Sequence, residues 1–254
     1  MNYKMWMIGL GMSCVAALTP ALAVAKLSLA DVQALVAHIE QTVYPDSSVS
    51  SYRLTHFNKD AVLKSFSFEM TMKNNNSLLV MQWPATAKHK YLLKVGNNLW
   101  MYFSDVRRSI RLSAKDSFMG TDANNYDIMQ VSLLKDYTVG GFTETSLDGE
   151  PVVKVELIAK PATEGYAKII SWMSLRQQRM LQNECYSISG QLIKTIRYGE
   201  ASDVGLYRIA NSVRITSNVN KDRSTLMEVS KVQPKQADEI KNLIFTLGYL
   251  ETMD

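Results

Sequence analysis

The chain has 254 residues, 28 basic against 24 acidic side chains and a formal charge of +4. That charge is too mild for a nucleic-acid binder, which carries a clustered basic face. Only two cysteines are present, so the fold is not stapled by a disulfide framework.

The N-terminus carries one charge, Lys4, then an apolar run from Met5 to Leu18. Pro20 breaks the run and Ala21-Leu22-Ala23-Val24-Ala25 follows. A charged n-region, an apolar h-region and an A-x-A site read as a cleavable signal peptide over residues 1–25. Cleavage is expected after Ala25, with Ala23 as the second choice. The run is short for a transmembrane helix. Cys14 follows Gly11-Met12-Ser13 and lies inside the apolar run, so it does not mark a lipid anchor. No later stretch is apolar enough to span a membrane. The expected location is the periplasm, with Cys185 as the single cysteine after cleavage.

Residues 28–44 predict an amphipathic helix, with Leu29, Val32, Val36, Ile39 and Val43 on one stripe. Ser28 and Asp31 resemble a capping box, and Pro45 ends the segment. The period then changes to two. In Ser65–Met72, Phe66, Phe68, Met70 and Met72 alternate with Ser65, Ser67, Glu69 and Thr71. Leu78–Trp83, Tyr91–Val95 and Leu99–Phe103 read as further strands. So do Val152–Ile158, Lys168–Ser174, Arg179–Ser187, Gln191–Tyr198, Tyr207–Thr216 and Thr225–Val232. Turn residues punctuate them at Asn74-Asn75-Asn76, Gly96-Asn97-Asn98, Asp148-Gly149, Ser189-Gly190 and Asn218–Asp222. About ten or eleven short strands in series predict an antiparallel meander that must curl. Helices are expected over Asn125–Leu134 and over Lys235–Leu247, the latter with Ile240, Leu243, Ile244 and Leu247 on one face.

Catalytic signatures are missing. There is no G-x-S-x-G, Walker loop, H-E-x-x-H or C-x-x-C. His38, His56 and His89 lie far apart and lack neighbours at metal-ligand spacing, so they read as ordinary surface or core residues. Neither a metal nor another cofactor is expected. What stands out is methionine, 14 in all, several beside aromatics on one strand face. Flexible, polarizable thioethers suit variable apolar partners. The same residues serve equally as a plain core beneath helices, and composition alone favours that reading. A helix lid on a concave sheet allows both.

Asn98–Leu134 contains Leu99-Trp100-Met101-Tyr102-Phe103, Val106-Arg107-Arg108-Ser109-Ile110-Arg111 and Ser117-Phe118-Met119-Gly120-Thr121-Asp122. Asn125-Tyr126-Asp127-Ile128 follows. This resembles the LolA-like outer-membrane lipoprotein-sorting proteins, in their longer branch rather than the carrier that names the family. Tyr166-Ala167-Lys168, Trp172, Gly190-Gln191-Leu192-Ile193-Lys194-Thr195 and Phe245-Thr246 extend the likeness over residues 26–254. Ala123 departs from it, where an aromatic is expected; a missing plug there would change the shape of the pocket.

The resemblance implies a mainly β fold: an unclosed antiparallel barrel, LolA/LolB-like, with helices covering its concave face. It implies one carrier-like domain over 26–254, acyl chains of lipoproteins or other lipids as ligand, and a monomer. An inner-membrane RND-type permease is the partner it implies. Phe66, Phe68, Met70, Met81 and Trp83 are the expected cavity residues on the first strands. Trp100, Tyr102, Phe118, Met119 and Trp172 complete the set. Arg107, Arg108, Arg111 and Asp122 are either an ion-pair network pinning the Ser117–Asp122 loop, which is the favoured reading, or a basic rim for lipid phosphates. Three functions stay open: a lipid carrier, a lipophilic-ligand-binding accessory of an RND-type transporter, and a lipid hydrolase. The missing nucleophile motif counts against the third, so the chain is expected not to be an enzyme.

Overall fold

The computed structural model describes residues 26–129, 133–161 and 163–253. The segment read as a signal peptide lies outside the described residues, as do residues 130–132 of the helix expected over Asn125–Leu134.

Helix α1 spans Leu29–Val43 and buries Val32, Val36 and Ile39. Its start is fixed by a reciprocal box: Ser28 N donates to Asp31 Oδ2 at 2.8 Å, and Asp31 N donates to Ser28 Oγ at 3.2 Å. The meander begins directly after it with β1 (Ser47–Asn58), β2 (Ala61–Lys73) and β3 (Asn76–Trp83). Then come β4 (Lys90–Val95), β5 (Asn98–Phe103) and β6 (Arg108–Leu112). Two single-turn helices, α2 (Asn125–Ile128) and α3 (Leu133–Asp136), lead to β7 (Tyr137–Leu147) and β8 (Glu150–Ala159). The rest comprises β9 (Lys168–Ser174), β10 (Arg179–Tyr186), β11 (Leu192–Tyr198), β12 (Ala201–Val204) and β13 (Tyr207–Ala210). Last are β14 (Ser212–Ser217), β15 (Arg223–Pro234) and α4 (Leu247–Leu250).

Among the described residues thirteen strands form one antiparallel sheet in the order β6-β5-β4-β3-β2-β1-β15-β14-β11-β10-β9-β8-β7. The sheet curls but does not close, and β6 and β7 are its two edges. Strands β12 and β13 form a separate hairpin that packs on α1. The strands thus outnumber the ten or eleven expected. The added ones have a physical reason for being missed. The inward residues of β1 begin with Ser48 and Ser50, fully buried yet polar by type, so no apolar alternation marks them. Edge strand β7 is mostly exposed, and Val139 and Gly141 flank a bulge in it.

Two apolar clusters lie on opposite faces. The larger fills the concave side under α1, α2 and α3. The smaller covers the outer face of β3–β5, where Leu78, Tyr91, Leu93 and Tyr102 meet Ile240, Phe245 and Leu250. The C-terminal segment therefore corrects the helix expected over Lys235–Leu247. It is two 3-10 turns, Ala237–Glu239 and Asn242–Phe245, ahead of α4. Lys73 Nζ donates to Ile240 O at 2.7 Å, so that carbonyl is engaged by the sheet rather than by a helical turn. Its buried residues do not follow the helical stripe; Leu243 is 63 % exposed.

Candidate functional site

Between the concave sheet and its lid lies a cavity of about 160 Å³. The wall follows from strand alternation: residues two apart point the same way. Strands β1 and β2 contribute Tyr52, Phe68 and Met70; β14 and β15 contribute Val213, Ile215 and Met227. From β9, β10 and β11 come Ile169, Met180, Asn183, Cys185, Ile196 and Tyr198. The roof is Val43 and Tyr44 at the end of α1, Tyr126 to Met129 around α2, and Leu133 of α3. A more polar vestibule of about 390 Å³ adjoins it and shares Val43, Tyr44, Leu133 and Met180. Glu40, Asp46, Lys94 and Lys135 line this vestibule. Burial and the neighbouring Lys135 charge lower the Lys94 pKa to about 8.

The lid is tied down at two points. At one, Asp127 Oδ2 lies 2.7 Å from Lys194 Nζ, and its Oδ1 accepts from Tyr166 Oη at 2.5 Å. Asn124 N also donates to Asp127 Oδ2 at 2.8 Å, closing the capping box of α2. Lys194 further donates to Asn124 Oδ1 at 2.7 Å. Tyr126 Oη donates to Tyr137 Oη at 3.0 Å, and Tyr166 N donates to that same oxygen at 3.1 Å. Together these clamp α2 onto β11 and onto the segment before β9. At the second point the Glu40 carboxylate of α1 accepts from the backbone N–H groups of Leu133 and Leu134 on α3.

The interior titrates far from neutrality. Burial raises Tyr44 to about 12, and raises Tyr52, Tyr126, Tyr166 and Tyr198. It also pushes up the Cys185 thiol, which the Asp127 charge raises further. These groups are neutral at physiological pH, and Cys185 is a buried thiol rather than a reactive one.

Of the ten residues expected to line a cavity, Phe68 and Met70 stand in its wall. Phe66, Met81 and Phe118 are buried in the same apolar cluster, with Met119 half-buried against it, but they lie outside the lining. Phe118 sets its edge against Phe68 with ring centroids 5.9 Å apart. Trp100 and Tyr102 are on the opposite, outer face, packed in the smaller cluster. Leu99 and Met101 take the inward positions of β5 instead. Trp172 is also off the cavity, with Lys154 Nζ 5.2 Å from its ring centroid. Trp83, at the end of β3, is 53 % exposed. Ala123 is fully buried in the larger cluster and lies outside the cavity lining.

The arginine reading is corrected too. Arg107 adopts a left-handed conformation (φ 48°) just before β6 begins. Arg111 donates to Asn98 Oδ1 at 2.6 Å. Among the described residues none of the three arginines forms an ion pair. The Ser117–Asp122 loop is held by other groups. Asp122 Oδ2 lies 3.3 Å from His56 Nδ1, and Asp122 N donates to Thr225 Oγ1 at 3.2 Å. His56 Nδ1 is itself 3.2 Å from Thr225 Oγ1. Lys64 Nζ donates to Met119 O at 3.3 Å, beside the left-handed Met119 and Gly120.

Sequence reasoning did not single out Tyr44, Tyr52, Asn183, Tyr198 or Met227 for the cavity. The strand that carries Asn183 and Cys185 was expected over Arg179–Ser187, but nothing told which of its faces was inward. Among the described residues no group of three or more His, Cys, Asp or Glu side chains is placed to hold a metal ion. No described helix is long and apolar enough to cross a membrane.

The fold has solved relatives. A LolA superfamily protein from Nitrosomonas europaea superposes with a TM-score of 0.76 at 22% identity, covering 85% of this chain and 98% of that one. A structure described as an outer membrane lipoprotein-sorting protein domain, from Vibrio parahaemolyticus, gives 0.75 at 18% identity, covering 87% and 96%. A DUF1329 family protein from Desulfovibrio piger gives 0.74 at 18% identity, covering 85% and 96%. No curated protein sequence matches the chain. Residues 73–252 match a family whose description reads "Uncharacterized protein". The chain belongs to that family, and its fold is that of the LolA-like proteins.

Proposed function

We propose that the protein is a periplasmic carrier, not an enzyme, that binds acyl chains of lipoproteins or other lipids and moves them towards the outer membrane. The observation that carries this reading is the apolar cavity between concave sheet and helical lid, walled by Phe68, Met70, Met180 and Met227. Each buried CH₂ is worth ~0.8 kcal/mol, so a sixteen-carbon chain costs on the order of 12 kcal/mol to expose to water. An apolar cavity of similar quality makes transfer across an aqueous gap nearly neutral. Ligand pockets usually measure about 300–1,000 Å³. The cavity of about 160 Å³ is smaller, so a long chain needs the lid to part and the vestibule to join in. The LolA-like fold supports the reading, as does the sorting role named for the Vibrio domain. The chain acts as a monomer, with an inner-membrane RND-type permease as the partner its family resemblance implies.

Native mass spectrometry on protein purified from periplasm, with identification of the released lipid, tests this. Bound lipid is expected. Protein that emerges empty and takes up no fluorescent fatty acid overturns the carrier reading.

A further inference from the structure

The cavity wall carries polar atoms that a pure hydrocarbon would leave idle. Asn183 is 5% exposed and lines the cavity. Its Nδ2 donates to Tyr198 Oη at 3.0 Å, while its Oδ1 has no partner among the described residues. Tyr198 Oη receives that bond and keeps its own hydrogen to give. A spare acceptor and a spare donor therefore sit side by side in an apolar wall. Turning the amide over exchanges the two roles and leaves the same pair. Buried polar groups are normally satisfied, so such a pair is a place where something binds.

Charge narrows what that is. Among the described residues Asp127 is the one carboxylate in the cavity lining, and Lys194 already matches it. Tyr44 and Tyr198 of the lining are held neutral by burial. Lys194 is committed to Asp127, and Lys94 and Lys135 line the vestibule rather than the cavity. Among the described residues an ionised headgroup thus finds no unpaired counter-charge in the cavity lining, and an unpaired charge is costly in apolar surroundings.

We infer that the cavity takes a lipid carrying an uncharged group that both donates and accepts a hydrogen bond, a hydroxyl or a secondary amide, and that Asn183 and Tyr198 receive it. This rests on the carrier reading and specifies its cargo. The group gives its hydrogen to Asn183 Oδ1 and takes one from Tyr198 Oη, while its chain lies against Phe68, Met70 and Met227.

Displacement of cavity-bound diphenylhexatriene tests it, using hexadecane, 1-hexadecanol, N-methylhexadecanamide and hexadecanoate as competitors. The alcohol or the amide is expected to displace the probe at about tenfold lower concentration than hexadecane, equivalent to about 1.4 kcal/mol. Whichever is the stronger identifies the cargo class. Asn183→Leu and Tyr198→Phe are each expected to erase that advantage of the alcohol or amide over hexadecane. Equal displacement by all four on the unaltered protein overturns the inference while sparing the carrier reading, and needs no variant to fold. Hexadecanoate as the strongest competitor also overturns it. A protein that binds neither the probe nor any competitor overturns both.

Discussion

Lys194 Nζ and Asp127 Oδ2 lie 2.7 Å apart, with side chains only 10% and 2% exposed, and this pair joins the lid to the sheet. Removing one partner strands the other charge. Lys194→Met is expected to lower stability by about 3–5 kcal/mol. The double variant Lys194→Met/Asp127→Leu regains most of it, because an apolar pair replaces an ionic one. Urea midpoints at constant m-value provide the measurement. A single variant as stable as the parent would sink the idea of a structural clamp.

The second tie, Glu40 to the Leu133 and Leu134 N–H groups, sits at the seam between α1 and α3. Glu40→Ala removes the acceptor. The stability cost is expected to be modest, about 1 kcal/mol for a hydrogen bond at a partly wet site. If the lid parts at this seam, lipid release is expected to quicken several-fold. Stopped-flow dissociation of a fluorescent fatty acid reads this; an unchanged rate places the opening elsewhere.

The loop Ser117–Asp122 separates two roles. His56 and Thr225 hold it, while Arg107 and Arg108 are exposed. His56→Ala is expected to cost about 1–3 kcal/mol, since it leaves Asp122 and Thr225 facing a gap. Arg107→Ala/Arg108→Ala is expected to change stability by no more than about 0.5 kcal/mol. Thermal unfolding of both variants decides. A loss in the arginine variant equal to that of His56→Ala would restore a structural role for the arginines.

The buried tyrosines make an alkaline prediction. Tyr44 and Tyr137 are each raised to about 12 by burial. The unfolded chain releases those protons near pH 10 and the folded chain does not, so the folded state binds more protons above that pH. Stability is therefore fully present below about pH 10 and falls as pH rises towards 12. Denaturant titrations at stepped pH measure the slope. Tyr44→Phe is expected to flatten it; a slope of opposite sign refutes the assignment.

How much of this was legible turns on alternation. Phe66 to Met72 could be read because apolar and polar residues alternate letter by letter and the buried face is the apolar one. Trp100 and Tyr102 misled for the same reason. Both faces of β5 are buried, one in the larger cluster and one in the smaller cluster with the C-terminal turns, so hydrophobicity no longer marks the inward side. Ser48, Ser50 and Asn183 were silent because a polar residue on an inward face reads as outward. The clamp was half visible: Asp127, Tyr166 and Lys194 each fell within a family motif. That they meet is a property of the folded chain, with 67 residues separating Asp127 from Lys194.

The small cavity has a consequence for energetics. Tyr44, Met129 and Leu133 come from the lid side and also line the cavity. On the carrier reading proposed above, a chain too long for the cavity enters only by displacing such side chains. Loading is then an exchange of one filling for another, and the affinity is the difference between the two. Release follows wherever a competing surface offers the chain slightly more than those side chains take back.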